Sequence, residues 1–114
     1  MADHGDAHRR ERMARNEALF REVNERLEEL AQAFHDVSRG AVFTCECGDL
    51  ECTAQVEMSL DEYEAVRASD DQFLVLPGHV YLEIERVVRK NDRFVVVAKV
   101  GEAAEIAERE SPRP

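Results

Sequence analysis

From Met13 to Val37 the apolar residues keep a helical rhythm. They fall at Met13, Phe20, Val23, Leu27, Leu30, Phe34 and Val37, with steps of 3, 4, 3, 4 and 3 from Phe20 onward. That is heptad spacing. Charged residues fill the other faces, and no Pro or Gly interrupts between Met13 and Gly40. The pattern predicts one long amphipathic helix over about residues 8–38. Asn16 falls on the same seam, where a polar residue fixes the register of a coiled coil at some cost in stability. A seam of this length suits a two-helix dimer and equally a single helix lying on its own sheet.

After Gly40 the period changes to two. Phe43, Cys45 and Cys47 alternate with Val42, Thr44 and Glu46, and Ala54, Val56 and Met58 alternate with Thr53, Gln55 and Glu57. Gly48 and Asp49 between them favour a tight turn, so the segment reads as a β-hairpin with its thiols at the tip. Ser59 and Glu62 then have the spacing of a capping box and open a short helix with Leu60, Tyr63 and Val66 on one side. Next comes a short strand at Phe73–Leu76, a Pro77–Gly78 turn, and two long strands around Lys90–Asn91–Asp92. One strand shows Val80, Leu82, Ile84 and Val88 on a face, and the other shows Phe94, Val96, Ala98 and Val100. The run from Gly101 to Glu110 reads as a terminal helix.

The expected fold is α+β. It has a long N-terminal amphipathic helix, a small antiparallel sheet with a metal-stapled hairpin, and short helices after the cysteine segment and at the C-terminus. Residues 1–40 form the helix with a disordered start, 41–110 the stapled domain and 111–114 a tail.

Composition narrows the chemistry. The 114 residues carry a formal net charge of −10, which repels nucleic-acid phosphate and anionic membrane. The charge is uneven: residues 39–82 hold nine acids and two bases, whereas 83–100 hold three acids and five bases. That basic hairpin reads most simply as a solvated strand face, and nucleic-acid binding is disfavoured. No apolar run approaches the length of a membrane span, and residues 1–17 lack the apolar core of a secretory signal. The expected compartment is the cytoplasm, where clustered cysteines bind metal or do redox work more often than they pair.

All three cysteines, Cys45, Cys47 and Cys52, lie within eight residues. Thiolates suit Zn2+, which takes four tetrahedral ligands. A turn that folds Cys52 back toward Cys45 and Cys47 leaves one ligand to be found among His4, His8, His35 and His79. His79 is the candidate of choice, because the Pro77–Gly78 turn presents it between two strands. A neutral imidazole there gives a site of net charge −1, milder than a fourth thiolate in so acidic a chain.

The segment Cys45–Glu46–Cys47–Gly48–Asp49–Leu50–Glu51–Cys52 resembles the zinc-binding segment that follows the catalytic domain of SET-type lysine methyltransferases, Cys-x-Cys-Gly-x3-Cys. The resemblance implies a metal and its local geometry over about eight residues. The chain is too short for that catalytic domain and shows no methyl-donor site. The whole chain is also similar to a group of short proteins of high-GC actinobacteria. Those combine a helix of this type, a Cys-x-Cys-x4-Cys loop, a Pro-Gly-His turn and a similar C-terminal end. That similarity implies no activity.

These readings predict a small zinc-binding interaction or regulatory protein with a structural Cys3His site. It would bind a protein partner or itself through the N-terminal helix. The alternative is a small zinc-dependent enzyme or a thiol redox sensor, with Glu46 or Glu51 as the base of a hydrolytic site. Against it, there is no phosphate loop, no Gly-x-Ser-x-Gly and no His-Glu-x-x-His. Cys45 and Cys47 would pair only through a strained ring.

Overall fold

The computed structural model describes residues 3–33 and 41–112. The elements run α1 (Asp3–Ala33), β1 (Ala41–Thr44), β2 (Gln55–Met58), α2 (Leu60–Arg67), β3 (Gln72–Val75), β4 (Glu85–Lys90), β5 (Val95–Lys99) and α3 (Gly101–Arg109). The fold is α+β, as the pattern predicts. α1 begins at Asp3, earlier than expected, and the last predicted turn of the helix, with Phe34, His35 and Val37, lies outside the described residues.

Two small antiparallel sheets form the body. β1 pairs with β2, with Phe43 opposite Val56, and β5 lies between β3 and β4. A main-chain bond from Glu46 N to Leu74 O at 2.8 Å joins the hairpin loop to β3. α2 forms where expected, with both halves of its capping box present: Ser59 N donates to Glu62 Oε1 and Glu62 N donates to Ser59 Oγ. Its buried face, Leu60, Tyr63 and Val66, closes the core, where Phe43 and Tyr63 stack with ring centroids 4.3 Å apart.

Two strands differ from their sequence pattern. β5 is central, so Val95–Lys99 is buried on both faces instead of alternating, and Val100 lies beyond it as the N-cap of α3. β4 begins only at Glu85. The run Val80–Leu82–Ile84 alternates like a strand, but Tyr81 N donates to the Glu85 carboxylate and Ile84 N to Tyr81 O. Those bonds make a turn, and Leu82 stands 77% exposed.

The docking of α1 departs most from expectation. Its inner face is Met13, Ala14, Glu17, Ala18, Arg21, Asn24 and Glu28, all buried. Of the apolar seam, only Met13 belongs to that face, with Leu27 partly packed on the core. Leu19, Val23 and Leu30 point outward, more than 40% exposed each. Ala14 and Ala18 let the helix come close, and the charged side chains between them find partners below. Lys99 Nζ donates to both Glu17 and Glu85 in a fully buried cluster. Arg21 donates to the carbonyls of Asp70 and Ala107, with its guanidinium over the Phe73 ring at 4.6 Å. Asn16, expected to set a coiled-coil register, instead donates to Gly48 O at 3.0 Å within its own chain.

The buried lysine holds two carboxylates, one more than its charge balances. Burial, with Glu85 beside it, holds the Glu17 carboxyl well above the usual value of 4.5, against the pull of Lys99. An acid whose folded pKa is raised contributes stability that is complete below its unfolded value and is lost as pH rises through the folded one. Thermal melts taken upward from pH 4.5 should therefore show a decline, and Glu17→Gln should flatten it. Glu62, held low by Arg93, titrates on the other side of that value and leaves this window clear. An unchanged slope in Glu17→Gln would assign the decline to another group.

Candidate metal centre

β1 delivers Phe43 and Thr44, and the chain then leaves the strand. Cys45 N bonds Ala54 O at 3.0 Å, one step past the ladder, and Glu46 N crosses to β3. Cys45 is fully buried and Cys47 1% exposed. The loop returns through a turn at Asp49, whose carbonyl accepts from Cys52 N at 3.0 Å and whose carboxylate accepts from Glu51 N at 2.9 Å. This brings Cys52 back beside the first two thiols, half-buried. Gly48 lies against α1: a Cβ there would stand 2.9 Å from Met13 Cβ, so only glycine fits without a shift.

The fourth group arrives from the other sheet. Leu76 O accepts from His79 N at 3.0 Å, with Pro77 and Gly78 between and Gly78 at φ 88°. Proline second and a left-handed glycine third make a type II turn. It places His79 Nδ1 3.6 Å from Cys45 Sγ and 3.6 Å from Cys52 Sγ. The ligand atoms of Cys45, Cys47, Cys52 and His79 all lie within 4.8 Å of one another. These are the four residues the sequence singled out, and they lie close enough to bind a metal ion.

The spacing can be tested against metal chemistry. Zinc–sulfur bonds of about 2.3 Å and a zinc–nitrogen bond of about 2.05 Å, at tetrahedral angles, give a sulfur-to-nitrogen edge of about 3.6 Å. Both sulfur-to-Nδ1 distances have that length. Leu76 N also donates to Cys45 Sγ at 3.3 Å, an outer hydrogen bond of the kind that orients a thiolate. With protons in place of a cation, hydrogen bonding between Cys45 and Cys47 draws the first thiol's pKa down and pushes the second's up, and burial raises that of Cys52.

The other expected groups go elsewhere. His8 is exposed on α1 and outside the cluster, and His35 and the side chain of His4 lie outside the described residues. Glu51 is exposed. Glu46, weighed as a hydrolytic base, is fully buried with its oxygens engaged. Oε1 accepts from Arg67 Nη2 and Leu74 N, each at 2.9 Å, and Oε2 accepts from Asn24 Nδ2 at 2.8 Å. Sequence reading missed this hub and its counterpart at Lys99. The usable signal was Ala14 and Ala18 interleaved with Glu17, Arg21 and Asn24, a polar stripe with small residues for close approach.

Removing His79 should separate ligand from bystander. His79→Ala should keep metal through three thiolates and lose affinity by more than about 100-fold, since loss of even an outer-shell partner costs about 10–100-fold. Metal-edge spectroscopy should show an oxygen from water in place of the nitrogen. A spectrum that still reports three sulfurs and one nitrogen would move the ligand to another histidine.

No protein-family model matches the chain, and no curated protein and no solved structure is significantly similar to it.

Proposed function

We propose that this chain is a small zinc-binding interaction or regulatory protein, with a structural Zn2+ held by Cys45, Cys47, Cys52 and His79. The observation that carries this reading is the convergence of three sulfurs and one imidazole nitrogen within 4.8 Å. Three soft thiolates with one imidazole favour zinc over hard cations, which want oxygen. Four protein ligands also leave no open position, whereas a catalytic zinc keeps one for water or substrate. The nearest buried carboxylate, Glu46, is spent on Arg67, Asn24 and a backbone amide. The site therefore supports a staple more than a hydrolytic centre.

The staple joins the hairpin to the turn before β4, groups 27 residues apart at Cys52 and His79. The module it steadies offers the outer stripe of α1 to a protein partner or to a second copy. No helix among the described residues is long and apolar enough to cross a membrane, and three unpaired thiols fit a reducing compartment such as the cytoplasm.

Elemental analysis of protein purified without added metal tests the reading. One equivalent of zinc per chain, with an absorption edge of three sulfurs and one nitrogen, is expected. Protein that is folded and free of metal would overturn it.

A further inference from the structure

The face of α1 opposite its docking surface carries an apolar stripe. Leu19 is 51%, Val23 42% and Leu30 55% exposed. At 100° per residue these three and Arg26 fall within about 60° of one another, directly opposite the buried Arg21 and Glu28. On one flank of the stripe stand Phe20 and Leu27. They form a wall of an open groove of about 480 Å³ whose other side includes Val42, Thr53 and Leu50. Val42 and Leu50 are themselves 45% and 60% exposed. On the opposite flank stand Glu22 and Glu29. Arg26 and Glu29 are loosely paired at 4.0 Å, both largely in solvent, so Arg26 is hardly committed within its own chain. Contiguous apolar surface of this kind, rimmed by charge, marks an interaction site.

We propose that this stripe pairs antiparallel with the same stripe of a second copy of the chain, crossing at about residue 24. The proposal rests on the reading of the chain as an interaction module and names its partner. Self-complementarity carries it. When two identical helices pack antiparallel about a two-fold axis, each flank meets the same flank of the other helix. A crossing near Asn24 then sets Leu19 against Leu30 of the second copy, and Val23 against the stem of its Arg26. On the charged flank Arg26 meets Glu22 of the second copy, an attraction that the axis repeats. On the apolar flank Phe20 meets Leu27 of the second copy, with Val42 and Leu50 closing the groove over them. All these pairings centre within one residue of position 24, so a single register satisfies them together. A parallel pair in register would instead set Arg26 beside Arg26 and press the charged Glu22 flank against the apolar Phe20–Leu27 flank. The charge pattern thus selects both the partner and its direction.

Sedimentation equilibrium of the whole, metal-loaded chain tests the pairing. The native chain should dimerise. Val23→Asp with Leu30→Asp should weaken association by more than about 100-fold, because each loss of apolar contact counts twice across the axis. Both positions are exposed, so zinc content and the far-ultraviolet circular dichroism of the folded chain should hold. Direction is read from charge. Glu22→Arg alone and Arg26→Glu alone should each weaken self-association by about ten-fold. An equal mixture of the two variants should recover it, since the arginine introduced in one chain then meets the glutamate introduced in the other. A native chain that is monomeric yet carries its zinc overturns the pairing and leaves the metal reading standing. A dimer without metal does the reverse. Dimers that survive the double aspartate variant, or a mixture that fails to recover, overturn the proposal outright.

Discussion

Stripped of metal, the protein should lose the fixed packing of residues 41–100, and Cys47→Ser should do the same with metal present. Structural zinc contributes an apparent ~10 kcal/mol or more to the folding of small zinc domains. Whole domains are stable by only about 5–15 kcal/mol. A chain this size therefore has little margin to lose the staple. The location of the ligands sharpens the expectation. Cys45 and Cys47 are themselves core residues, in one apolar cluster with Phe43, Tyr63 and Phe73. Loss of the cation leaves the crowded thiols with only the His79 imidazole between them, a far weaker tie than metal bonds. Three segments then come apart: the hairpin loop, the Leu76–His79 turn, and Gly48 against Met13 of α1. Serine at position 47 keeps the volume and removes the soft ligand. The measurement is thermal melting of metal-loaded and chelated protein, followed by near-ultraviolet circular dichroism. Equal melting temperatures for the two forms would sink the structural role, wherever the metal binds.

Much of this centre was legible because local rules build it. Gly48 and Asp49 announce the loop, Pro77 and Gly78 announce the turn, and Ser59 with Glu62 announces α2. Each acts within a few residues, and each formed where the sequence put it. The four candidate ligands followed from simple chemistry, three thiols wanting one more group, and they do lie together. The docking of α1 was not legible in the same way. Heptad spacing marks the stripe as fit to be buried, but it does not say by what. The body of the protein presents to α1 a surface of Lys99, Glu85, Glu46 and bare carbonyls, assembled from residues distant in sequence. Glu17 reaches Lys99 across 82 positions and Arg21 reaches Ala107 across 86. That surface matches the helix's polar side and leaves Val23 and Leu30 of the heptad seam outward. The strand expected at Val80–Ile84 failed for a related reason. Alternation was present, but the Glu85 carboxylate captured the Tyr81 amide and closed a turn. A side chain's competition for a backbone donor is invisible to period counting.

Glu46→Ala should cost about 3–5 kcal/mol of folding stability, the usual penalty for removing one partner of a buried ion pair. The pair with Arg67 is not in itself a large stabiliser, because both charges were taken out of water to form it. The cost lies in what the truncation strands. Arg67, with a side chain only 3% exposed, would keep its charge but lose its carboxylate, retaining the Gln72 carbonyl. Leu74 N would lose its side-chain acceptor, and Asn24 would keep only Thr44, whose N–H and C=O it already binds at 2.8 Å. α1, α2 and β3 all meet at this one carboxylate. Because Glu46 stands between the candidate ligands Cys45 and Cys47, its hydrogen bonds to Asn24, Arg67 and Leu74 also hold the loop. Metal affinity should therefore fall with stability, unlike the outcome for a substitution in the exposed stripe of α1. Glu46→Gln should fall between, at about 1–3 kcal/mol. It keeps the volume but turns an amide donor toward either Asn24 or the Arg67–Leu74 pair. Adding Arg67→Met to Glu46→Ala should recover part of the loss, since it removes the stranded cation. Urea unfolding with zinc retained is the measurement. A Glu46→Ala chain within about 0.5 kcal/mol of the native protein, in the range of ordinary surface substitutions, would show that the hub is not a joint of the fold.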